Sequence, residues 1–238
     1  MKIAMWSGPR NISTAMMYSF GNRKDCTVSD EPFYAAYLAA TGADHPMRKD
    51  VLGSQAHDPG EVIRALLQPN PGGHSIWYQK HMTHHMLPRY NLDWISELRN
   101  VFLIRDPRKI VASYAKKRSS VDFSDLGFEE QMRIFQHCRD QKLDPIVLDS
   151  DYILQGSTNA LTLLCQKLGV PFDPAMTHWT PGKRAEDGVW AAHWYDAVHR
   201  SSGFSVSQET TMNLPDAYRP ILDRAMPIYE ELRAFAIT

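Results

Sequence analysis

Residues 100–104 read Asn-Val-Phe-Leu-Ile, short and apolar at successive as well as alternate positions. A run of that kind fits a strand buried on both faces, which points to the inside of a parallel sheet with helices covering each side. Further short runs of β type stand at 2–6 (KIAMW), 26–30 (CTVSD), 75–80 (SIWYQK) and 145–148 (PIVL). Helical patterns fall between and after them, at 13–22, 32–40, 59–68, 107–117, 128–141, 157–168 and 216–234. The alternation predicts βαβ units, hence an α/β chain with a central parallel sheet flanked by helices. Pro107 stands at a first helical turn and Gly169 just past a helix end, as each residue's backbone preference demands. With 238 residues and 43% apolar side chains, residues 1–238 are read as one domain. The Gly- and Pro-rich breaks at 69–73 and 180–188 are too short for linkers.

The formal net charge is −1, so no global field draws the chain to nucleic acid or to an anionic membrane, and any anion site must be local. No apolar run approaches the length that spans a bilayer. Cys26, Cys138 and Cys165 stand far apart, in no metal-ligand or redox spacing, and their odd number argues against a disulfide framework. A reducing, cytoplasmic setting is expected, and MKIAMWSGPR has no long apolar segment of the signal-peptide kind.

The first strand runs into Ser7-Gly8-Pro9-Arg10-Asn11-Ile12-Ser13-Thr14 and then the helical AMMYSF. A strand, a turn of small residues and a helix opened by hydroxyl side chains aim backbone N–H groups and the positive helix end at one spot. That spot suits a phosphate, with Arg10 as cation and Ser13 and Thr14 as further donors. The plainer reading is a capped helix beside a surface arginine. The segment lacks the G-x-x-x-x-G-K-[ST] signature, and no lysine occupies the turn, which weighs against a Mg-ATP site. A second basic island follows NVFLI: residues 99–118 hold seven Lys or Arg against one acid. Arg105 stands at the strand end and Ser113 two helical turns further on, so both can reach one anion. Arg108, Lys109, Lys116, Lys117 and Arg118 are equally consistent with a solvated basic face.

These motifs resemble those of the PAPS-dependent sulfotransferases of bacterial type, whose donor is 3′-phosphoadenosine 5′-phosphosulfate. The family's first loop is similar to Arg10-Asn11-Ile12-Ser13-Thr14, with Ile12 where the family has glycine. Its strand-end Arg, Asp/Asn-Pro-Lys/Arg run and Ser eight residues after the Arg match Arg105, Asp106-Pro107-Arg108 and Ser113. Its C-terminal Arg-Lys-Gly…Gly-x-Trp frame is similar to Lys183-Arg184-Ala185-Glu186-Asp187-Gly188-Val189-Trp190. The resemblance implies a P-loop NTPase-like three-layer sandwich. It also implies PAPS as co-substrate, its 5′ phosphosulfate held by Arg10, Asn11, Ser13 and Thr14 and its 3′-phosphate by Arg105, Ser113, Lys183 and Arg184. The family's Tyr-Glu-Asp-Leu after the fifth strand has no clean counterpart in Asp149-Ser150-Asp151-Tyr152.

An acceptor hydroxyl or amine must lose a proton as it attacks sulfur, so a base is needed. His81, ending SIWYQK-H, resembles the family's Lys-x-His with one residue fewer, and imidazole suits proton transfer near neutrality. Lys80 would steady the leaving phosphate. Glu31, in Glu31-Pro32-Phe33 after the second strand, is the rival base; its structural alternative is a carboxylate at a helix start. His81, His84 and His85 also suggest a metal, but no glutamate stands among them as in H-E-x-x-H, and none is expected. Loops at 41–60 and 118–128 are expected to cover the site. The leading function is sulfuryl transfer from PAPS to a small-molecule acceptor, without nucleic acid or membrane and with room for a homo-oligomer. The alternatives are a nucleotide-dependent phosphotransferase on the same scaffold and a nucleotide-binding module without catalysis.

Overall fold

The computed structural model describes residues 1–115, 121–205 and 214–238. Lys116, Lys117 and Arg118, and with them part of the expected 118–128 loop, lie outside the described residues. Five parallel strands form one sheet in the order β2-β3-β1-β4-β5: β1 Lys2–Ser7, β2 Cys26–Asp30, β3 Ile76–Met82, β4 Arg99–Ile104 and β5 Ile146–Asp149. Twelve helices accompany them among the described residues. The first four are α1 Ser13–Gly21, α2 Tyr34–Thr41, α3 Arg48–Ser54 and α4 Pro59–Leu67, and the next four are α5 Pro107–Ala115, α6 Phe123–Leu126, α7 Phe128–Asp140 and α8 Ser150–Gln155. Then follow α9 Ser157–Leu168, α10 Ala191–Trp194, α11 Asp196–His199 and α12 Arg219–Arg233.

Because a strand alternates its side chains, each central strand feeds two cores. Ile3 and Met5 of β1, Tyr78 of β3 and Leu103 of β4 face one layer with α1, α2 and α9. Ala4 and Trp6, Trp77 and Phe102 face the other, with α4, α7 and part of α12. Each fully buried side chain of this size contributes about 1.5–3 kcal/mol, which is why the sheet, covered on both faces, needs no alternation in β4. The arrangement is the expected P-loop-like sandwich of helix, sheet and helix. Among the described residues no helix is long and apolar enough to cross a membrane.

β1 lies at the middle of the sheet, between β3 and β4. The chain leaves β1 toward β2 on one side and later leaves β3 toward β4 on the other, so strand order reverses about β1. In open parallel sheets the crevice for a ligand lies at the carboxyl ends of the strands beside such a reversal. Ser7, Met82 and Ile104 end the three strands that meet there. The region 41–60, expected as loop, contains α3 and the start of α4. α3 is opened by Met47, which caps nothing and takes a left-handed backbone, so no capping residue marked it in the sequence.

Candidate functional site

After Ser7 the backbone passes so close to α6 that a Cβ on Gly8 would collide with the Leu126 carbonyl oxygen. The turn then places Arg10 and Ile12 in the left-handed region, at φ 60° and 49°. Ile12 immediately precedes α1. Glycine adopts that backbone freely, whereas a branched side chain is held there at ~1–2 kcal/mol. Packing of Ile12 on the core offsets the strain, and the α1 amides are left open toward the turn. Asn11, 2% exposed, donates to the Leu103 carbonyl at 2.5 Å and accepts from the Ser150 hydroxyl. Its side chain therefore fastens the turn to β4 and α8 rather than reaching for a ligand.

Arg10 Nε donates to Ser113 Oγ at 2.9 Å, and Arg105 Nη1 donates to the Arg10 carbonyl at 2.7 Å. The two arginines and the serine from separate motifs thus meet at the first turn. Both guanidinium pKa values fall below their usual range, through burial first and, for Arg10, through the charge of Arg105. Neither forms an ion pair among the described residues, and buried Arg105 Nε has no hydrogen-bond partner. Two adjacent half-buried cations and an orphaned buried donor suit an anion as their complement.

They line a cavity of about 240 Å³ together with Ser13 and Thr14. Its lining also includes the apolar Leu154, Trp194, Val198 and Phe204. The cavity thus combines cationic and hydroxyl-bearing groups with apolar side chains. Leu154, Ser201 and Phe204 were not singled out in the sequence, and no local pattern marks them.

A second cavity, about 120 Å³, opens from the same turn and shares Arg10, Ser13, Thr14, Trp194 and Tyr195 with the first. It adds Glu31, Lys80, His84, His85, Tyr34 and Asp125. Glu31 follows β2 with φ 42°, so three strained non-glycine residues, Arg10, Ile12 and Glu31, gather at these cavities; such strain is tolerated where surrounding contacts over-determine it. Lys80 Nζ donates to Glu31 Oε1 at 2.5 Å, to Asp30 Oδ1 at 2.9 Å and to the Tyr195 hydroxyl at 2.6 Å. All three ammonium protons are used, and two carboxylates face one cation. Burial raises the Glu31 pKa and Asp30 adds to it, while Lys80 opposes them; the net direction is up. For Lys80 burial pulls the pKa down, but Asp30 and Glu31 outweigh it, so the ammonium stays charged. Glu31 Oε2 accepts no hydrogen bond from the described residues. The group can take a proton.

Three expected site residues lie elsewhere. His81 belongs to β3, one residue beyond Lys80, and the pleat turns it to the opposite face. There it is 1% exposed, stacks on Trp6 at 4.4 Å between centroids and lies 5.9 Å from Phe33. Burial lowers its pKa to about 3, and it lines neither cavity, whereas Glu31, the other expected base, lines the second. His84 and His85 lie beyond the strand, in a single 3-10 turn at Thr83–His85, and among the described residues no three metal-ligating side chains gather. Arg184 lies over the Tyr18 ring at 4.2 Å and donates to the Tyr18 carbonyl, near the far end of α1. Lys183 beside it is exposed, and the loop is fastened there by the Tyr18 hydroxyl donating to Asp187 at 2.8 Å. Neither reaches the Arg105 end. Lys80, expected at a leaving phosphate, has its ammonium spent on Asp30, Glu31 and Tyr195.

The sequence model of the sulfotransferase domain family matches residues 1–236. Two Arabidopsis thaliana proteins named branched-chain-amino-acid aminotransferase-like protein, 2 and 1, are 34% and 35% identical over 97% and 98% of this chain. The chain spans only 41% of the length of either. Among solved structures, the sulfotransferase domain from the curacin biosynthetic pathway superposes with a TM-score of 0.52 at 13% identity, covering 93% of this chain and 96% of its own. A sulfotransferase from Alicyclobacillus acidocaldarius gives 0.53 at 10% identity, with 98% and 95% covered. The sulfotransferase domain of the Synechococcus PCC 7002 olefin synthase gives 0.52 at 14%, with 100% and 96% covered. At these identities the likeness is one of fold.

Proposed function

The chain belongs to the sulfotransferase domain family, and from that premise we propose that it transfers a sulfuryl group from PAPS to a hydroxyl or amine of a small-molecule acceptor, with Glu31 as the base. The observation that carries this reading is the junction of the two cavities at the start of α1, where Arg10, Ser13 and Thr14 belong to both. A donor held in the first cavity and an acceptor in the second would meet at those three residues. PAPS supplies an electrophilic sulfuryl group on a phosphate leaving group. The residues for it fit: Arg10, Ser13, Thr14 and the α1 amides for the 5′ end, Arg105 and Ser113 for the 3′-phosphate, and the Leu154–Trp194–Val198–Phe204 wall for the base. The unsatisfied Arg105 Nε supports an anion there. Lys183 and Arg184 have no part in this arrangement.

The acceptor proton passes to Glu31 Oε2 as the acceptor oxygen or nitrogen attacks. Before the transfer the buried group of Asp30, Glu31 and Lys80 carries one surplus negative charge; afterwards it is neutral. Low polarity around the group favours that change, so proton uptake is driven where a solvent-exposed carboxylate would resist it. Arg10 and the helix end stand where charge grows on the leaving oxygen, and fixed donors need no rearrangement to stabilise it.

Isothermal titration with adenosine 3′,5′-bisphosphate tests the donor assignment. Arg105→Ala removes a charge-assisted contact and should weaken binding about 10- to 100-fold; equal affinity in the two proteins refutes the assignment. Turnover of PAPS against an acceptor panel in chelator then separates this reading from Mg²⁺-dependent phosphotransfer. Tight binding without turnover on any acceptor would leave a non-catalytic binding module.

A further inference from the structure

Tyr195 connects α10 to α11, and its neighbours Trp194, Ala197 and Val198 line the first cavity. It is 4% exposed, and its hydroxyl is hydrogen-bonded to capacity. The oxygen accepts from Lys80 Nζ at 2.6 Å and from Trp190 Nε1 at 3.1 Å. The single phenolic proton goes to Asp30, both of whose oxygens lie at 2.8 Å, with Glu31 Oε1 next at 3.3 Å. Burial, then Asp30 and Glu31, push the phenol pKa well above its usual value, so it remains a neutral donor.

We propose that Tyr195 is a positioning residue for proton transfer: from the wall of the donor cavity its hydroxyl holds Lys80 and Asp30 so that Glu31 stays ionised and aimed into the acceptor cavity. The proposal rests on Glu31 being the base. Without the hydroxyl, Asp30 loses the one neutral side-chain donor it has among the described residues, keeping the Gly188 amide at 3.1 Å, and Lys80 has one proton unmet. The ammonium then moves toward Asp30, and Glu31 loses part of the compensation that keeps it charged.

Other charged groups face Glu31 without taking over that task. Arg10 is turned to Ser113, and Asp125, across the cavity, accepts from Tyr114 at 3.3 Å. His45 shares a hydrogen bond with Tyr34 at 2.9 Å. His85 is stacked between Tyr34 and Tyr37, and its pKa is held well below the usual value by burial and then by His84. Neither imidazole nor arginine bonds the carboxylate. Lys80 and Tyr195 do.

Tyr195→Phe keeps the ring and deletes the oxygen. The Glu31 titration, followed by ¹³C-carboxyl NMR, should move up by about one pH unit, the size of one charge-assisted hydrogen bond. The acid limb of kcat/KM should move with it, and kcat at neutral pH should fall about tenfold. Adenosine 3′,5′-bisphosphate Kd should stay within about twofold, since the wall is intact. Trp190→Phe, which only removes a donor to the phenol, should shift Glu31 the same way by less. A Glu31 titration unmoved in both variants overturns the proposal, whatever happens to thermal stability. The NMR readout does not need turnover, so absence of sulfuryl transfer in the wild type would refute the function and leave this inference separately decided.

Discussion

Glu31→Gln should make the protein more stable and inactive at the same time. The 2.5 Å Lys80–Glu31 contact is worth ~6–7 kcal/mol at an effective dielectric of about 20. Contacts of 2.9 and 2.5 Å to one ammonium leave the Asp30 and Glu31 oxygens no more than about 5.4 Å apart, a repulsion of ~3 kcal/mol or more in the same medium. Withdrawing the carboxylate from water costs several kcal/mol besides. Attraction is thus nearly cancelled or slightly exceeded, which agrees with the upward direction of the Glu31 pKa. Glutamine keeps a neutral hydrogen bond to Lys80, worth ~1 kcal/mol, and removes the surplus charge. The net gain is about 1–2 kcal/mol at pH 7, or roughly 3–5 °C in Tm for a chain of this size. A group with a raised folded pKa contributes most below its unfolded value and loses that contribution as pH rises through the folded one. The Tm difference should therefore be small near pH 4 and open as pH rises, when measured by calorimetry across that span. Loss of the base should lower kcat about 10²- to 10⁴-fold. A pH-independent drop in Tm, or retained turnover, would show that Glu31 is a structural ion-pair partner and the reasoning wrong.

His81→Ala empties a fully buried place against Trp6 and should cost about 2–4 kcal/mol in denaturant titration, with kcat per folded molecule within about threefold; a hundredfold loss would return proton transfer to His81. Ile12→Gly releases left-handed strain of ~1–2 kcal/mol and gives up apolar packing of similar size. Its Tm should change by less than about 3 °C in a melt, and a fall beyond about 8 °C would mean the side chain, not the backbone, governs the turn.

The strands were legible to within a residue or two because β-type side chains crowd into short runs. NVFLI, Asn100 to Ile104, lies wholly within β4. Arg10, Glu31, Lys80 and Arg105 were legible for a related reason: each stands at or near the carboxyl end of a strand, where a parallel sheet opens its crevice. His81 was not, because one residue along a strand changes the face while scarcely changing the sequence frame. Lys183 and Arg184 keep a familiar spacing, yet spacing does not say where a loop is tied, and Tyr18 with Asp187 ties this one to the far end of α1. α10 and α11 span four residues each, too few to show a period. Trp194 and Val198 within them, and Tyr195 between them, therefore show themselves as lining residues only in three dimensions.

The party wall between the two cavities limits how a site of this kind can diversify. A change of side-chain shape at Arg10, Ser13, Thr14 or Trp194 is felt on both sides, so a mutation there that reshapes the second cavity also reshapes the first. Tyr34, His45, Met82 and His84 border the second cavity alone. Libraries aimed at new acceptors should be confined to those four positions, where variation leaves the donor side untouched.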